Sequence, residues 1–124
     1  LVSLYVKFNI EIQNIGNVVV SLSRAKALKI INELSRRVPF RTRVFMRNGF
    51  FHIFIGVGKG GFSRVSCREG IVLYDVVQDT LMICLADSKL DSIKYVEIGF
   101  VESGLDVIKD LSGSFIATIT KIEE

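Results

Sequence analysis

Arg41-Thr42-Arg43-Val44-Phe45-Met46-Arg47-Asn48-Gly49-Phe50-Phe51-His52-Ile53-Phe54-Ile55 is the stretch from which the fold can be read. Asn48-Gly49 suits the two-residue loop of a type I′ hairpin, where both central residues need positive φ. With those two at the turn, Arg47 pairs with Phe50, Met46 with Phe51, Phe45 with His52, Val44 with Ile53 and Arg43 with Phe54. Strand side chains alternate between faces, so Val44, Met46, Phe51, Ile53 and Ile55 share one apolar side, which is a core face. The opposite side carries Arg41, Arg43, Phe45, Arg47, Phe50, His52 and Phe54.

The same period of two continues outward from the hairpin. Upstream, Val2, Leu4, Val6, Phe8, Ile10 and Ile12 alternate with Ser3, Tyr5, Lys7, Asn9 and Glu11, the pattern of a long half-buried strand. A turn at 14–17, containing Gly16, leads to a second strand beginning at Val18-Val19-Val20. Ser23 is a good N-cap, and Ala27, Ile30, Ile31, Leu34 and Val38 then recur at helical spacing over 24–37. Pro39 ends that helix, because the residue before a proline is pushed out of the helical region. Downstream, strands are expected at 71–77, 80–86, 93–101 and 114–122. A short helix is expected over 104–111, where Ser103 and Asp106 have capping-box spacing and Gly113 follows the end. This pattern predicts an all-β fold, an antiparallel barrel or sandwich with two helices covering its open ends.

The 124 residues form one domain, 1–124. A hydrophobic content of 49% excludes disorder, which needs low hydrophobicity and high net charge. No apolar run approaches the ~20 residues of a membrane helix, and no signal segment opens the chain. The first residue, Leu1, reads as a trimmed or non-standard start. A soluble cytoplasmic domain without a membrane partner is the expectation. The net charge is +3, but it is segregated. Residues 24–68 hold eleven basic residues against the single acid Glu33, and residues 69–124 hold four against eleven acids. Cys67 and Cys84 lie in apolar stretches, which favours free buried thiols, with a disulfide the alternative that nothing in the sequence asks for. With one histidine and no C-x-x-C, a zinc site of the usual Cys/His kind cannot be assembled in one chain.

Motifs for catalysis or cofactors fail on context. Gly56-Val57-Gly58-Lys59-Gly60-Gly61 satisfies G-x-G-x-x-G, but Phe62-Ser63-Arg64-Val65-Ser66 alternates like a strand where a helix should begin. Without that helix N-terminus there is nothing to hold a pyrophosphate, so no cofactor is expected. The segment reads as a mobile surface loop. His52 is the one residue able to act as a base near neutral pH without a large shift, yet no G-x-S-x-G nucleophile elbow accompanies it. Asp87, Asp91, Asp106 and Asp110 read as solvated carboxylates. No catalytic or metal-binding residue is assigned.

The C-terminal third, Tyr95–Val101 followed by Glu102-Ser103-Gly104-Leu105-Asp106-Val107-Ile108 and a final strand, resembles the end of cyclophilins. The rest resembles a short prokaryotic branch of uncharacterised cyclophilin-like proteins. The order agrees throughout: an opening strand pair, a helix ending in Val38-Pro39-Phe40, a hairpin, Glu69-Gly70-Ile71, and Leu81-Met82-Ile83-Cys84-Leu85. The resemblance implies an eight-stranded closed barrel with two helices. Active cyclophilins show Phe-His-Arg and Phe-Met-x-Gln-Gly-Gly-Asp; neither occurs here, so no catalytic residue carries over. Weak prolyl isomerase activity is the alternative reading. In cyclophilins the outer face of the corresponding hairpin contributes to a proline-binding groove.

That face is the candidate site. Three arginines and three phenylalanines pointing outward are unusual, since an exposed apolar patch marks a contact site and Arg and aromatics dominate hot spots. The expected occupant is a peptide or small anionic ligand, or a second copy of the chain as a homo-oligomer. Single-stranded nucleic acid ranks last, because the acidic half limits a continuous basic track.

Overall fold

In the computed structural model, residues 3–58, 66–90 and 95–122 are described. The alternation of the first segment becomes β1 (Tyr5–Ile12), which turns into β2 (Gly16–Ser23). The Ser23 hydroxyl accepts the Lys26 N–H and opens α1 (Arg24–Arg37), the span expected from its apolar spacing. Val38 is extended, and β3 (Phe40–Arg47) begins two residues later. Asn48 and Gly49 have φ of 53° and 80°, as a type I′ turn demands, and lead into β4 (Phe50–Phe54). The remaining elements are β5 (Ser66–Cys67), β6 (Ile71–Asp75), β7 (Thr80–Cys84), β8 (Ser88–Lys89), β9 (Tyr95–Ser103), α2 (Leu105–Ile108) and β10 (Ser114–Lys121).

Eight of these strands close into an antiparallel barrel in the order β1-β10-β3-β4-β7-β6-β9-β2, and β5 pairs with β8 as a separate two-stranded ribbon. The barrel and the two helices agree with the fold class read from the sequence. Closure removes the open edges that an eight-stranded sheet would otherwise expose. The interior is filled by Val6, Phe8, Ile10, Ile12, Val18, Val20 and Leu22 from β1 and β2, with Val44, Phe51 and Ile53 from the hairpin. Ala27, Ile30, Ile31 and Leu34 of α1 join the same cluster, as does Ile108 of α2. Because α1 follows the C-terminal end of β2 and Val107 packs on Gly16 at its start, the helices sit at opposite ends of that strand.

Four expectations need correction. The capping box at Ser103 and Asp106 does not form: β9 runs through Ser103, and the helix is capped by Gly104 at φ +90° without a side-chain hydrogen bond. A Cβ at Gly104 would lie 2.2 Å from the Asn17 carbonyl oxygen, so the close approach of α2 to β2 requires glycine there. The helix is correspondingly shorter than 104–111. Cys67 and Cys84 are not free thiols but a disulfide, with Cα atoms 5.9 Å apart, tying the β5 ribbon strand to β7. Period two also fails in β6 and β7, where nearly every residue is buried on both faces. Of the expected mobile loop 56–61, only Gly56–Gly58 falls within the described residues. Gly56 and Gly58 are left-handed, and the Asp79 carboxylate accepts the Val57 and Gly58 N–H groups at 2.9 and 2.7 Å.

Candidate functional site

The hairpin register is the one its turn dictates: Val44 opposite Ile53, Phe45 opposite His52, Met46 opposite Phe51 and Arg47 opposite Phe50. Val44, Phe51, Ile53 and Ile55 are fully buried, so the seven alternate residues do point out of the barrel. They do not form one open surface. Arg41, Arg43 and Arg47 are exposed, Phe54 is 39% exposed, Phe45 and Phe50 are half-buried, and His52 is only 4% exposed.

The covering material is a second apolar cluster outside the barrel. Cys67, Leu73, Met82 and Cys84 form its buried centre, with Phe50, Ile71, Leu90 and Tyr95 packed around them. Met82 and Cys84 stand opposite His52 and Phe50 across the β4–β7 ladder. The sequence carries a signal for this layer: Ile71-Val72-Leu73-Tyr74 and Leu81-Met82-Ile83-Cys84-Leu85 are unbroken apolar runs, the mark of strands buried on both faces. His52 borders that layer through Met82, its partner across the ladder. Its ring stacks on Phe45, with centroids 4.6 Å apart and planes 2° from parallel, and Phe50 meets it edge-on at 6.4 Å. His52 Nε2 also lies 3.4 Å from the Arg47 carbonyl oxygen. These contacts make His52 a stacking and packing residue of this face.

What remains open is the outer face of β10, β3 and the distal half of β4. Ser114 stands opposite Phe45, Ile116 opposite Arg43 and Thr118 opposite Arg41, so the β10 neighbours of the arginine row are uncharged. Phe54 packs against Phe45 at 5.4 Å, continuing the line of rings. Arg43, Gln13, Asn14, Ser114, Phe115 and Ile116 border an open cavity of about 440 Å³. At the turn end, Arg47 and Asn48 border a second cavity of about 260 Å³, whose wall includes His52 and the buried Asp75. Asp75 Oδ1 accepts the Val77 and Gln78 N–H groups, which holds the β6–β7 turn.

Among the described residues, no carboxylate comes within ion-pair distance of Arg41, Arg43 or Arg47. Most of the described acids of the C-terminal half are engaged elsewhere. Glu97 pairs with Lys26 at 3.3 Å and Glu102 with Lys7 at 3.7 Å. Glu69 binds Lys109, whose ammonium is held above its ordinary pKa by the hydrogen bond and charge of that carboxylate. Asp79 ties down Val57, Gly58 and the Tyr74 hydroxyl, and Asp87 accepts the Glu69 N–H. Two other arginines are likewise employed: Arg24 donates to the Ser3 carbonyl, and Arg37 donates to that of Ile55 while lying 4.6 Å from the Phe40 ring centroid. No three His, Cys, Asp or Glu side chains converge as metal ligands among the described residues, and none of their helices is long and apolar enough to cross a membrane.

No protein-family model matches this chain, and no curated protein does. Among solved structures it is similar to a hypothetical protein from Archaeoglobus fulgidus, known in solution, with a TM-score of 0.78 at 10% identity over 98% of both chains. That likeness shows the fold: a second sequence with few residues in common closes the same chain path from end to end.

Proposed function

We propose that this chain is a binding module that takes an anionic ligand on the outer face of the 41–55 hairpin, centred on Arg41, Arg43, Phe45, Arg47 and Phe54. One observation carries the reading: three exposed arginines on one strand have no carboxylate partner among the described residues, beside a ring left 39% exposed. Like charges ranged along one strand face repel one another, and an anion between them reverses the sign of that interaction. Apolar surface beside them adds burial energy to whatever the arginines hold. The resemblance to cyclophilins points to the same hairpin face as a groove. Self-association through the acidic half has less support, because most of that half's described acids are already engaged within the chain.

The test is a backbone NMR titration with pyrophosphate and with an acidic peptide. Shift changes should concentrate at residues 41–47 and 54. They should vanish in the combined Arg41→Gln, Arg43→Gln and Arg47→Gln variant. Weak changes spread evenly over every lysine and arginine would sink the proposal.

A further inference from the structure

We infer that the anion this face accepts is a single strand of nucleic acid, an assignment that rests on the anion-binding reading above and specifies its ligand. The geometry of a strand supplies the first argument. Alternate residues on one face are separated by roughly 6.6–6.8 Å, close to the spacing of successive phosphates along an extended single strand. Arg41 and Arg43 are one such step apart, and Arg47 is two steps further on. Phe45 takes the intervening position.

The rings supply the second argument. Phe45 and Phe54 lie 5.4 Å apart beside the arginine row, and Phe45 is backed by the His52 ring stacked flat against it. Rings held in place by their neighbours are platforms for bases, which bring a flat apolar face to every position along the strand. A polyanion without flat rings, such as oligoglutamate, would use the arginines alone.

Absence of opposing charge is the third argument. Adjoining outward positions Ser114, Ile116 and Thr118 on β10 and Phe50, His52 and Phe54 on β4 include no acid. Among the described residues the acids of the C-terminal half lie on other strands, turns and the α2 segment, and the one acid in the wall of the cavity at Arg47 is Asp75, which is buried.

The experiment is fluorescence anisotropy with a labelled oligothymidylate of about 12 nucleotides, a length within the range of single-strand sites. It is repeated over a series of salt concentrations, with an oligoglutamate of equal charge and the matching duplex as competitors. Three phosphate contacts predict a log affinity against log salt slope of about −2, and Arg43→Gln should flatten it to about −1.4. Phe54→Ala should weaken binding about tenfold without changing the slope, since stacking releases no counterions. Both positions are exposed, and an unchanged thermal melt verifies that each variant folds. If oligoglutamate or the duplex binds as tightly as the single strand, the nucleic-acid assignment falls while the anion-binding face stands. If Phe54→Ala has no effect, the assignment also falls. If no anion binds, both readings fail together.

Discussion

The outer surface of this barrel is two surfaces that meet along β4. Over β7 and β6 it is covered: Leu73, Met82, Cys84 and Cys67 form a buried layer, and the buried His52 stands beside Met82. Over β3 and β10 it is bare, and there the chain places Arg41, Arg43 and Arg47. The two halves share a sheet, a register and an alternating pattern. They differ in whether anything lies above them. A ribbon of two-residue strands, tied to the barrel by the Cys67–Cys84 bond, is enough to turn an outward face into a core. Ribbons that short have little stability of their own, so the cover depends on the apolar side chains beneath it and on the disulfide.

The comparison is broken most directly from the covered side. Leu73→Asp places a charge in an apolar layer and should cost about 4 kcal/mol or more, read as a fall in the urea midpoint. A near-neutral result would mean that the layer is not a second core. Replacing Cys67 and Cys84 together by alanine should cost about 3 kcal/mol, because a bond closing a separation of 17 residues restricts the unfolded chain by roughly that much. Its effect on hydrogen exchange should be concentrated in 66–90, leaving β1–β2 amides as protected as before.

At the boundary the effect should be smaller. Phe45→Ala removes a half-buried ring stacked on His52 and should cost roughly 1–2 kcal/mol in the same unfolding measurement. A value as large as that for Leu73→Asp would move the boundary one strand towards β10. On the bare side Arg43→Ala and Arg47→Ala should each stay within about 0.5 kcal/mol of the parent, since neither side chain makes an ion pair among the described residues. Their consequence should appear in anion binding instead. A loss of several kcal/mol in either would show that the arginines are structural.

What the sequence determined by itself is local and periodic. Asn48-Gly49 specifies a turn in which both residues have positive φ, and that turn fixes which residues oppose one another in the hairpin. Ser23 and Pro39 bound the first helix because one supplies an acceptor to a free N–H and the other forbids helical backbone before it. Alternation then assigns inside and outside for β1 and for the hairpin without further information. Only the tertiary structure decided what lies above an outward face. His52 and Phe54 are equivalent in the alternating pattern, yet Met82 stands beside one and Thr80 beside the other, and the first is 4% exposed and the second 39%. The disulfide was hidden for the same reason, since 17 residues of separation say nothing about whether two side chains face each other. Gly104 shows the converse limit: Ser103 and Asp106 have the spacing of a cap, but the chain needs its glycine against the Asn17 carbonyl. Turns and periods are set by a residue and its neighbours within a few positions, whereas cover, pairing of cysteines and close approach depend on chain that arrives from far away.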